Sequence, residues 1–132
     1  MDRRLIWVAS ICLTCSACSG DRDLPAAYRR IIVPEAQLGS DSAFRRGERL
    51  YQTNCALCHG ARLDGRGTRQ TGFTQPPRNF TDEAWRRSTS PRRVFFAIRE
   101  GIPGTAMAAW RAFDVAETWD LVAYLRVASA IP

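Results

Sequence analysis

Lysine is absent from this 132-residue chain, histidine occurs once and methionine twice. All 19 basic residues are therefore arginine. One histidine excludes a centre built on two imidazoles, and the missing lysine excludes an amine ligand. Long apolar runs are missing too. Leu5 to Ala17 is a run of 13 residues, too short to cross a hydrocarbon core comfortably. The net charge is +6. The arginines are scattered and no nucleic-acid motif accompanies them, so the charge reads as a solvated basic surface. The length fits one domain.

The five cysteines form two groups: Cys12, Cys15 and Cys18 near the start, Cys55 and Cys58 further on. That split points to two unrelated chemistries and not to a disulfide framework. Asp2-Arg3-Arg4, the apolar run and then Ser16-Ala17-Cys18 read as an export signal over residues 1–17. The small residues before Cys18 resemble a bacterial lipoprotein cleavage site, which makes Cys18 the lipidated first residue of an exported, membrane-anchored protein. Cys15 departs from the leucine usual at that place in such signals. Residues 18–40 hold Pro25, Pro34 and Gly39 without a sustained helical period and read as a tether. Tyr28 and Ile31-Ile32-Val33 offer the alternative of packing on the domain, which then spans residues 41–132.

Cys55-Ala56-Leu57-Cys58-His59 is the chemical centre of the sequence. Two thiols at this spacing meet two vinyl groups, and a histidine directly after them reaches iron from the same turn; the pattern is that of covalent haem attachment. A zinc site needs further ligands that a chain with one histidine does not offer. A thioredoxin-like redox pair needs strands around it, and the pattern shows none. A Cys55–Cys58 disulfide leaves His59 and Met107 without a role. Elimination then gives the second axial ligand. Met1 leaves with the signal, so Met107, 48 residues after His59 and flanked by small residues, is the one thioether of the mature chain. His59/Met107 ligation raises the reduction potential and saturates the iron.

Asp41 or Ser42 is expected to cap a helix to about Thr53, with Phe44, Gly47, Leu50 and Tyr51 at helical spacing. Ser90-Pro91 starts a second helix with Val94, Phe95 and Ile98 as its apolar stripe and Gly101 at its end. Asp114 and Glu117 form a capping box for a third, running to about Ala128. Between them lies a Gly- and Pro-rich loop, Gly60 to Asp82. Pro76 or Pro77 is expected to supply a carbonyl to the other His59 nitrogen. Arg78, Arg66 and Trp85 are candidates for the haem propionates, and Arg62, Arg66, Arg69 and Arg111 for a basic rim facing an acidic partner.

Residues 42–128 resemble a class I c-type cytochrome. The matching residues are Gly47, Tyr51, Cys55 to Gly60, Gly65-Arg66-Gly67, Pro76 to Asp82, Gly101-Ile102, Met107 and Trp119 to Leu125. The resemblance implies an all-α class I cytochrome c fold wrapped on one covalent haem c, with Gly47 against Tyr124 and Leu121 where the first and last helices cross. It implies an electron carrier, not an enzyme. Its partners would be a quinol-oxidising complex or periplasmic dehydrogenase and a terminal oxidase or reductase, on the periplasmic side. The competing class is a haem-based ligand sensor or peroxidase-like enzyme with a labile sixth ligand; Met107 and the lack of a second histidine weigh against it.

Overall fold

The computed structural model describes residues 21–69 and 71–129. The signal over residues 1–17 and Cys18 lie outside them. Among the described residues seven helices follow in order: α1 (Ala26–Arg29), α2 (Glu35–Leu38), α3 (Asp41–Asn54), α4 (Ala56–His59), α5 (Glu83–Ser88), α6 (Pro91–Glu100) and α7 (Val115–Ala128). Among the described residues there is no strand.

α7 is the centre of the molecule. Thr118 through Leu125 are all buried, so the helix is enclosed on every face by α3, α2 and α6. An all-round buried helix has no amphipathic stripe to reveal it. Its start is fixed by the expected capping box: Glu117 N donates to Asp114 at 2.7 Å and Asp114 N to Glu117 at 2.9 Å. Burying Leu121, Val122 and Leu125 contributes about 1.5–3 kcal/mol each.

α3 crosses α7 at Gly47. A β-carbon there would overlap the Asp120 backbone carbonyl and the Tyr124 side chain, so only glycine permits this approach. Ala43 and Tyr51 complete the buried face of α3. The N-cap is Ser40, not Asp41 or Ser42. Its extended backbone lets the hydroxyl accept from Ala43 N at 3.3 Å, one residue earlier than expected. Asp120 is buried on α7, and its charge is satisfied by Arg46 at 2.6 and 2.9 Å and by Gln37 at 2.9 Å. A buried carboxylate with this many donors is tolerated.

α6 begins and ends as expected: the Ser90 hydroxyl accepts from Arg93 N, Pro91 opens the helix and Gly101 closes it. Val94, Phe95 and Ile98 are buried, with Phe95 stacked on Trp119 at 4.4 Å. α5 was not expected. Asp82 caps it at 2.9 Å, and it carries Trp85 against Phe80.

Residues 21–40 differ from the expected tether. They lie on the domain, with Leu24 and Leu38 buried. Tyr28 packs edge-on to Phe96 at 4.7 Å, Asp21 bonds Ser90, and the Ile31 carbonyl accepts from Arg92 at 2.8 Å. Ile31 and Val33 pack against the core, whereas Ile32 faces solvent. Its anchors, Leu24, Leu38 and the ring of Tyr28, are isolated, so the segment adheres without a repeating pattern.

Candidate cofactor site

α3 unwinds at Cys55, and a single turn, α4, follows at once. Cys55 N donates to Tyr51 O at 2.8 Å and His59 N to Cys55 O at 2.8 Å, so Cys55, Cys58 and His59 share one turn. Positions three and four apart share a helix face, which brings both thiols and the imidazole to one side. The following loop folds back and holds this turn. Gly67 N donates to Cys58 O at 3.1 Å, Arg69 N to Leu57 O at 2.9 Å and Gly65 N to His59 O at 2.8 Å. From α3, the buried Tyr51 hydroxyl donates to Gly60 O at 2.7 Å.

These residues open onto a cavity of about 580 Å³, within the usual ~300–1,000 Å³ of small-molecule sites. Cys55, Leu57, Cys58 and His59 line it from the motif, Pro76, Pro77 and Arg78 from the loop, and Ile102, Met107 and Trp110 from beyond α6. Four sequence-selected donors, Cys55, Cys58, His59 and Met107, thus border one space.

His59 Nδ1 lies 3.2 Å from the carbonyl of Arg78, not of Pro76 or Pro77. The loop turns so that the residue after the proline pair presents its oxygen. An Nδ1–H donated to that carbonyl leaves Nε2 with its lone pair. Burial holds the imidazole below its ordinary pKa, against a smaller opposing effect of the Arg78 carbonyl. The ring stacks on Phe80 at 4.8 Å. Both thiols are free; burial first, then the neighbouring Cys58, pushes the Cys55 thiol up to about 12.

Met107 sits in a closed loop. Ile102 N donates to Met107 O at 3.0 Å, Met107 N to the Thr105 hydroxyl at 3.1 Å, and Trp110 N to Ile98 O at 2.9 Å. Gly101, at φ +70°, lets the chain turn back onto Met107; a β-carbon there would come within 2.5 Å of the Met107 carbonyl oxygen.

Other expectations are redistributed. Trp85 does not line the cavity; its ring is taken up by Phe80. Of the expected basic rim only Arg69 borders it, joined by Arg78. Arg62 pairs with Asp64 at 3.5 Å and Arg111 with Glu100, while Arg66 uses its backbone N to bond Asp64. Phe73 and Trp110 line the cavity too, beside Leu57 and Ile102 of the motifs already named. Trp110 stands three residues after Met107, whereas nothing in the sequence marks Phe73.

A prosthetic group that brings its own metal fits these residues better than a bare ion. Among the described residues no group of three or more His, Cys, Asp and Glu side chains converges to hold an ion. What borders the mostly apolar cavity instead is two thiols, one imidazole and one thioether, the attachment and ligand groups of a covalent haem.

A helical shell closed around such a cavity defines a c-type cytochrome domain. Residues 42–125 match the family model described as cytochrome c oxidase, cbb3-type, subunit III, and the chain belongs to that family. Membership implies a covalent haem c and haem-based electron transfer in a protein exported to the periplasm. The fold is similar to one in the Kuenenia stuttgartiensis reducing HAO-like protein complex Kustc0457/Kustc0458, with TM-score 0.54 and 23% identity. That match covers 61% of this chain and only 40% of the other. The KustC0563 c-type cytochrome aligns at 27% identity and TM-score 0.47, over 61% of this chain and 93% of that one. No curated protein matches the chain. Among the described residues, no helix is long and apolar enough to cross a membrane.

Proposed function

We propose that this chain is a lipid-anchored periplasmic electron carrier or cytochrome subunit of a respiratory-type chain, with haem bonded to Cys55 and Cys58 and its iron held by His59 and Met107. The observation that carries the reading is that all four side chains border one cavity. Bound there, the haem supplies an iron that takes up and returns one electron between Fe(II) and Fe(III).

The chain's own residues do the rest. Cys55 and Cys58 fix the group to the turn that carries His59. The Arg78 carbonyl holds the His59 ring in one tautomer and orientation. Met107 would be the iron's second protein ligand, and its loop would keep exogenous ligands away. Phe80 and Tyr51 close the space behind His59 against water. Leu57 and Ile102, both about half exposed, form apolar lips at the cavity, with Arg69 and Arg78 alongside. An apolar contact fringed by positive charge suits a protein partner with an acidic surround. The family description, an oxidase subunit, favours a terminal oxidase as the acceptor. The donor would be a quinol-oxidising complex or a periplasmic dehydrogenase. Lipidation of Cys18 would keep the carrier at the membrane where these partners sit.

Mass analysis of peptides from the mature protein tests this reading, together with a redox titration. One haem on the peptide spanning Cys55 to His59, a lipid on Cys18, and one reversible one-electron transition are expected. Unmodified thiols at Cys55 and Cys58 would overturn it.

A further inference from the structure

The loop that carries Met107 leaves α6 at Gly101 and returns at Trp110, and four bonds tie its neck. Trp110 N bonds the Ile98 carbonyl at 2.9 Å. Arg111, just after the loop, bonds one oxygen of Glu100, just before it. The other Glu100 oxygen accepts from the hydroxyl of Tyr28, 72 residues earlier in the chain. Arg99 adds a bond to the Phe113 carbonyl. Tyr28 is itself seated by its edge-on contact with Phe96 on α6. Both carboxylate oxygens of Glu100 are therefore engaged, one by residues 21–40, the N-terminal leader of the described chain, and one by the far side of the loop.

We propose that Tyr28, Glu100 and Arg111 form a latch that closes the neck of the Met107 loop, so that the N-terminal leader sets how firmly Met107 is presented to the cavity. All three are positioning residues acting through Met107, and the inference rests on the reading of Met107 as an axial ligand. The leader has other attachments, such as Arg92 to the Ile31 carbonyl and Gln37 to Asp120, but these grip the leader away from the loop. Tyr28→Phe removes only the hydroxyl and keeps the ring. Glu100→Gln keeps the shape and removes the charge. Either change weakens the neck while leaving the cavity lining intact.

The test uses the haem-loaded protein and the variants Y28F, E100Q and R92A. Two quantities are read: the rate of carbon monoxide binding to the reduced protein, which requires Met107 to move aside, and hydrogen exchange at the Ile102, Met107 and Trp110 amides. Y28F and E100Q are expected to raise both, roughly fivefold for one lost, partly exposed charged contact. R92A loosens the leader elsewhere and is expected to change neither. Unchanged rates in both Y28F and E100Q would overturn the latch, as would an equal rise in R92A. If the unaltered protein already binds carbon monoxide without restraint, the reading of Met107 as ligand fails. The exchange of the loop amides then decides the latch by itself.

Discussion

Replacing Met107 by Leu keeps the bulk of the side chain and removes the only thioether after residue 1. The reduced haem protein should then bind carbon monoxide readily, and its potential should fall, because a thioether ligand favours the reduced iron. A spectroelectrochemical titration of M107L checks both. Arg69→Gln and Arg78→Gln should slow reaction with an acidic partner at low salt and lose that effect at high salt. Arg62→Gln should change little, since Arg62 pairs with Asp64 away from the cavity lining. Stopped-flow reduction at two ionic strengths distinguishes them. Residues whose chemistry is local were legible in the sequence: two thiols and an imidazole within five positions declare themselves. The carbonyl facing His59 was not, because it depends on how the loop from Gly60 to Asp82 folds back. Pro76 and Pro77 were the expected source, and the oxygen belongs to Arg78. Trp85 misled for a similar reason, since a loop tryptophan near a cofactor reads as a ligand contact until Phe80 is seen to occupy it.

Between elements, the crossing of α3 and α7 sets the geometry from which Cys55 and His59 emerge. Gly47→Ala forces a methyl group into the Asp120 carbonyl. The cost should lie at the top of the ~1–3 kcal/mol range for overpacking or beyond it, read as a drop in the chemical-denaturation midpoint. Tyr51→Phe leaves the buried Gly60 carbonyl with Leu63 N as its remaining donor and should cost about 0.5–1.5 kcal/mol. Helices with a cap and a stripe were legible: α6 from Ser90-Pro91 and Gly101, α7 from Asp114 and Glu117. α1, α2 and α5 were not, because four to six residues carry no period to read. The adhesion of residues 21–40 escaped for the same reason, resting on isolated anchors such as Leu24 and Leu38.

Across the whole molecule, residues 21–40 would join the proposed Cys18 anchor to the site. Asp21 already bonds Ser90 and Arg92, so a lipid on Cys18 leaves at most ~11 Å of chain between anchor and domain. A flexible insert between Gly20 and Asp21 should leave the visible spectrum unchanged and alter the rate of reaction with a membrane-bound partner. The same leader makes stability depend on pH. The Tyr28 hydroxyl, then Arg111, hold the Glu100 carboxyl below its ordinary pKa. The folded state thus favours the carboxylate. Its contribution is complete above the unfolded value and fades as pH falls through the lower folded one. Burial, then Glu100, raises the Tyr28 pKa, so its contribution is present below the unfolded value and is lost as pH rises through the higher folded one. Melting temperatures of E100Q and Y28F should accordingly vary less with pH than those of the parent, E100Q on the acid side and Y28F on the alkaline side.

Haem electron transfer with a closed His59/Met107 iron is the central claim, and the visible spectrum of the purified mature protein tests it most directly. It is recorded oxidised, then reduced, then with carbon monoxide added. The weak far-red band of an iron–thioether bond is expected in the oxidised protein, and no immediate change on adding carbon monoxide to the reduced one. A missing band with an immediate carbon monoxide shift would contradict it and leave an open iron, the mark of a ligand sensor or peroxidase-like enzyme.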